Sequence, residues 1–140
     1  MKIMIIVEDF DPNKGYLEYY LARELTRLGY NVYVVTFDLR TRVLRTKLSE
    51  GFEVIKVNYI ATVNGIHIPS FNGIAYIIKF VKTEKPDIIH FQPLFSLFSL
   101  ILVPFSRIFN FKVVGIVFSQ MPELNTISKR IMLHLLKALL

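Results

Sequence analysis

The turn after the first apolar run, Glu8-Asp9-Phe10-Asp11-Pro12-Asn13-Lys14-Gly15, gathers carboxylates, a lysine and a glycine just ahead of a stretch with helical periodicity. Free backbone N–H groups and the dipole at a helix start favour a phosphate, and a glycine lets the backbone approach closely. Both nucleotide motifs are nevertheless missing. GxxxxGK[ST] is absent, and Gly15 is the only glycine of the turn, so the dinucleotide fingerprint fails as well. Asp9 and Asp11 have a spacing at which two carboxylates can share a hard cation, but Asp before Pro is also ordinary turn chemistry. The expectation is a turn without a metal, and no cofactor.

Other candidates lie directly after later strands. Asp38 occupies the place where a dinucleotide enzyme reads a ribose, with Arg40 and Arg42 positioned for a 2′-phosphate, yet that reading lacks its glycines. His90, followed by Gln92 and Pro93, can donate to a phosphate or a hydroxyl; it can equally be a structural histidine bonded to a backbone carbonyl. Ser119, Gln120 and Glu123 can hold hydroxyls or simply make a turn, and His67 and His134 read as surface or packing residues. GxSxG is absent, so no nucleophile elbow is present, and the lack of cysteine removes thiol chemistry, Cys-ligated zinc, iron–sulfur clusters and disulfides.

These residues are punctuated by alternating strand and helix signals. Residues 2–7 form a continuous apolar run, as in a buried parallel strand. From 15 to 28, Leu17, Leu21, Ala22, Leu25 and Leu28 recur at helical steps, and Gly29 is a suitable left-handed terminator. Strands are expected at 31–37, 52–57, 87–91 and 112–118, and helices at about 74–85, 94–109 with a break at Pro104, and 127–140. Residues 58–73 read as loop, and Arg40, Arg42, Arg45 and Lys47 lie in a basic stretch that Gly51 breaks. Five strands separated by helices imply an α/β fold. The architecture is a doubly wound, mostly parallel, Rossmann-like sheet in a single three-layer domain over 1–140.

The 140 residues are 53% hydrophobic and 20% charged, which belongs to an ordered domain and not to a disordered tail. Lack of cysteine and the early Glu8 and Asp9, which cut the first apolar run short of a signal peptide, suggest a cytoplasmic protein. The net charge of +6 is uneven: nine Lys/Arg face eight Asp/Glu in 1–70, whereas eight face three in 71–140. The second half therefore favours an anionic partner. Nucleic acid is not expected, because the basic residues are not interleaved with aromatics or gathered in a known motif. Residues 94–105 are apolar but shorter than the roughly 20 needed to span a bilayer.

The run D-P-N-K-G-Y-L-E-Y-Y-L-A-R-E-L-T-R-L-G-Y-N-V-Y-V-V-T resembles the opening of the N-terminal domain of family 4 glycosyltransferases of the GT-B fold, which reads like PPxxGGxE…LAxxLxxxGHEVxVxT. K-P-D-I-I-H-F-Q and K-V-V-G-I-V-F-S-Q-M-P-E are similar to that domain's KPDxxHxH and to its later strand ending in a histidine turn. The resemblance implies transfer of a sugar from a nucleotide sugar, with Lys14, Gly15, Glu18, His90, Ser119 and Gln120 as donor-phosphate or acceptor-binding positions. Departures from the pattern are clear. Lys14 replaces a glycine, Gln92 the second histidine, and Ser119-Gln120 the later histidine turn.

In such enzymes catalysis occurs between two facing domains, the second of which holds the sugar nucleotide. The resemblance covers only the first, so the chain is expected to need a donor-binding partner domain, on another chain or in a homo-oligomer. The helix from Ile127 to Leu140 suits such contact, since Ile127, Ile131, Leu135, Leu136 and Leu139 make an apolar stripe beside Lys129, Arg130 and Lys137. It can instead pack on its own sheet or lie peripherally on an anionic membrane. Two rival readings remain: a non-catalytic binding or scaffold protein, and a small nucleotide-binding enzyme working through Asp38.

Overall fold

The computed structural model describes residues 1–39, 42–63, 66–92 and 96–115. The first apolar run becomes β1 (Lys2–Val7), in which Met4 and Ile5 are fully buried on opposite faces. A run without polar alternation is stable only where both faces are covered. A 3-10 turn (Pro12–Lys14) leads to α1 (Leu17–Arg27), which lays Ala22 on the sheet and ends at Gly29 with φ at 86°. β2 (Asn31–Asp38) then completes the first crossover, pairing in parallel with β1.

The chain continues through β3 (Leu44–Lys47), β4 (Glu53–Val63), β5 (Ile66–Pro69), α2 (Phe71–Glu84) and β6 (Ile88–Gln92). It then forms α3 (Leu97–Leu102), a 3-10 turn (Val103–Phe105), α4 (Ser106–Phe109) and β7 (Lys112–Gly115). Strand order is β3-β4-β2-β1-β6-β7, with β5 pairing off β4. The five strands expected from sequence are the parallel ones, β4, β2, β1, β6 and β7. One face of the sheet packs Met4, Ile6, Val35, Ile89 and Phe91 against Ile77 and Val81 of α2 and Phe98 of α3. The other packs Ile3, Ile5, Val7 and Val34 around Ala22 of α1 and Phe52. The doubly wound, three-layer α/β architecture is thus realised.

One expectation needs correction, and one strand adds to those expected. Residues 58–73 are not a loop: β4 runs on to Val63 and turns back as β5, antiparallel, with Val63 opposite Ile66. Asn64-Gly65 between them is the sequence signal of a two-residue hairpin, and Tyr59 to Val63 carries strand-favouring side chains. The basic stretch also contains a strand. β3 lies antiparallel on β4 at the sheet edge, where Arg45 pairs with Glu53. Charged side chains on an edge strand hide it from apolar periodicity and guard it against pairing with other chains.

The remaining breaks have local causes. Ser70 Oγ accepts the Gly73 N–H at 3.0 Å and starts α2, while Ser96 and Ser99 cap α3 reciprocally. Pro104 falls in the 3-10 turn separating α3 from α4, as expected for a residue without an N–H. The helix at 127–140 and the end of the strand at 112–118 lie outside the described residues.

Candidate functional site

β1 pairs with β2 on one side and β6 on the other, and the chain leaves it toward β2 before returning to β6. The crossovers to β2 and back to β6 therefore lie on opposite faces, opening a crevice between the carboxyl ends of β1 and β6 where ligands of open α/β sheets bind. Val7 lies level with Gln92 across this point. The residues that frame the crevice are thus Glu8, Gln92 and the start of α1.

Gln92 is 5% exposed and its Nε2 donates to Glu18 Oε1 at 2.5 Å. Its Oε1 is buried and receives no hydrogen bond among the described residues. Glu18 stands in the first turn of α1, whose N-cap Tyr16 supplies no side-chain cap, so a carboxylate there also meets the positive end of the helix dipole. Gly15 precedes it at φ 62°, and a Cβ there would come within 3.1 Å of the Tyr20 hydroxyl. Lys14 is turned to Asp11 at 3.9 Å, and Asp11 accepts the Asn13 N–H at 3.0 Å. His90 lies on β6 two residues before Gln92, so strand alternation puts both on the α1 face. Its burial lowers the imidazole pKa below 6.5, which favours a neutral ring.

The hairpin brings a second set of groups to the same edge. Glu8 Oε2 accepts the backbone N–H of His67 at 3.1 Å and lies 3.9 Å from its Nδ1, while His67 Nε2 is 3.7 Å from Asp9 Oδ1. The His67 ring stacks on Tyr59 at 4.2 Å and meets Phe37 edge-on at 5.2 Å. Burial pushes the Glu8 carboxyl up to about 7, with the His67 N–H pulling it down and the Asp9 charge adding to the rise. The Thr36 hydroxyl holds the Glu8 carbonyl at 3.3 Å. His67 is a packing residue, as the sequence suggests, but it is also a member of the crevice edge. Neither its role nor that of Glu8 is visible in local sequence, because both depend on β5, which only the Asn64-Gly65 hairpin signal announces.

Of the sequence candidates, Glu18 meets Gln92, His90 shares the α1 face of β6 with Gln92, and Gly15 ends the turn that leads into α1. Lys14 lies in the preceding turn, exposed. Ser119 and Gln120 lie outside the described residues. Asp38 ion-pairs with Lys56 at 3.7 Å, Arg40 lies outside the described residues, and no group of three metal ligands forms among the described residues. Among those residues, no helix is long and apolar enough to cross a membrane.

Residues 18–138 match the family described as Glycosyltransferase Family 4. No curated protein matches the chain.

Proposed function

Because the chain belongs to glycosyltransferase family 4, we propose that it is the acceptor-side domain of a GT-B glycosyltransferase, transferring sugar from a nucleotide sugar held by a facing donor-binding domain. The Glu18–Gln92 hydrogen bond beside the β1/β6 switch point, with His90 on the same face of β6, is the observation that supports this reading. A single sheet offers one wall of a cleft. The unpaired N–H groups at the start of α1 face a leaving diphosphate, and preorganised donors of this kind each contribute about 3 kcal/mol to a transition state. Residues at β1, β6 and α1 fix an acceptor hydroxyl near the reacting carbon, so the barrier loses part of its entropic cost.

The second wall comes from another domain or chain, and residues 127–140, whose sequence has helical periodicity, are the proposed contact, with peripheral attachment to an anionic surface a further use of their cations. Titration of the chain with nucleotide sugars, alone and with a donor-binding Rossmann-like partner, tests this reading. Weak binding alone and tight binding with the partner is expected; tight binding by the lone chain refutes the half-site reading. Gln92 in place of the family's histidine favours one alternative, a non-catalytic binding protein on the same fold. Transfer by the paired system that disappears on replacing Glu18 and His90 by alanine excludes that alternative.

A further inference from the structure

Apart from the backbone N–H groups at the start of α1, side-chain acceptors without a donor gather around the described part of the crevice. Gln92 is more than nine-tenths buried, commits its nitrogen to Glu18, and is left with an oxygen that no donor reaches among the described residues. Glu8 uses Oε2 for the His67 N–H, and none of the hydrogen bonds among the described residues involves its Oε1. Asp9 adds a second, exposed carboxylate beside His67. No lysine or arginine among the described residues ion-pairs with Glu8, Asp9 or Glu18, whereas Lys14 and Lys56 are turned to Asp11 and Asp38.

A buried oxygen without a donor is costly, and a ligand that supplies an O–H or N–H relieves that cost. A ligand bearing its own phosphate or carboxylate meets like charge and lone pairs instead, which opposes its binding. We propose that the acceptor subsite between β1 and β6 takes a non-anionic carbohydrate, neutral or amino-substituted, whose hydroxyl or ammonium protons are donated to Gln92 Oε1 and Glu8 Oε1. This inference rests on the glycosyltransferase reading and narrows it to one class of acceptor. His67 acts through Glu8 and is a positioning residue.

The test is an NMR titration of the full chain at pH 8, where the Glu8 carboxyl is ionised and Oε1 accepts, with methyl glucoside, glucosamine, glucuronate and glucose 6-phosphate, following the Gln92 side-chain amide and the Glu8 side-chain carbon. Methyl glucoside and glucosamine should perturb both signals, with affinity at least about tenfold above that of the two anions. Glu8→Gln, which keeps the shape and the bond to the His67 N–H, should weaken glucosamine more than methyl glucoside. Gln92→Met should weaken both, and its dispersed amide spectrum reports that it is folded. Equal or tighter binding of glucose 6-phosphate or glucuronate at these signals overturns the proposal, as does the absence of any perturbation or unchanged binding by Gln92→Met. Failure here leaves the nucleotide-sugar titration with a donor-binding partner free to succeed, so the two readings fall separately.

Discussion

Glu8 and His90 are withdrawn from water at the same edge of the sheet, and burial moves their protons in opposite directions. The folded chain holds a proton on Glu8 that the unfolded chain releases above pH 4.5, so this carboxyl makes stability fall as pH rises from 4.5 to about 7. That rise corresponds to at most roughly 3 kcal/mol. His90 opposes it, because a ring kept neutral by the fold loses stability as pH drops below 6.5. A wild-type curve mixes the two, whereas comparison with Glu8→Gln isolates the carboxyl. The variant should match wild type near pH 4 and exceed it in urea-unfolding free energy by about 1–3 kcal/mol at pH 8; equal stability at both pH values would contradict a buried, proton-retaining Glu8. Gly15→Ala places a side chain at φ 62° beside the Tyr20 hydroxyl and should cost roughly 1–2 kcal/mol, read as a lowered Tm. Gly15 stands out from the local pattern of the turn, whereas Glu18 is singled out only by the family resemblance. The partners that give residues meaning are not legible there: Gln92 reaches Glu18 across 74 positions and His67 reaches Glu8 across 59.

At the scale of elements, legibility follows burial. The five parallel strands announce themselves as apolar runs because the sheet is covered on both faces, as in Ile3–Val7 and Val32–Val35. β3 and the end of β4 with β5 lack that cover: Ile60 and Val63 are exposed, and Arg45 and Lys47 alternate with smaller residues along the edge. Their structure comes from pairing with β4 and from the His67 contacts, neither of which leaves a periodic trace. The hairpin should therefore depend on its anchor. His67→Ala removes the Tyr59 stacking and the Phe37 edge contact, and hydrogen exchange should quicken at 60–63 and 66–69 while β1 and β2 stay protected. Exchange that quickens equally in β1 would mean the hairpin is not a separable unit. Ser70→Ala removes the cap joining this hairpin to α2 and should cost about 1 kcal/mol in chemical unfolding, a loss that Ser70→Asp largely avoids.

For the whole molecule, polarity of charge and unity of the core both follow from topology. Parallel strands put every carboxyl end on one edge, where Glu8, Asp9, Glu18 and Asp38 gather with Lys14 and Lys56; Lys2, Lys82, Lys85 and Lys112, with Glu84 and Asp87, fall at the opposite edge, where β1, β6 and β7 begin and α2 ends. Lys82, Lys85 and Lys112 of the second half thus lie away from the crevice, a placement that composition cannot convey. The sheet also couples its two apolar layers, since neighbouring residues of each central strand feed opposite faces. Phe98 is fully buried under α3 on one face, and Phe52 is fully buried on the α1 face. Truncating either to alanine should cost roughly 3–5 kcal/mol. Because β1 and β2 contribute to both layers, each loss must spread through the sheet and the domain should unfold in one step. Far-ultraviolet circular dichroism and tyrosine fluorescence should then give coincident midpoints in wild type and in both variants. Separate midpoints in Phe98→Ala, with the α1 layer surviving, would show two units where the shared strands demand one.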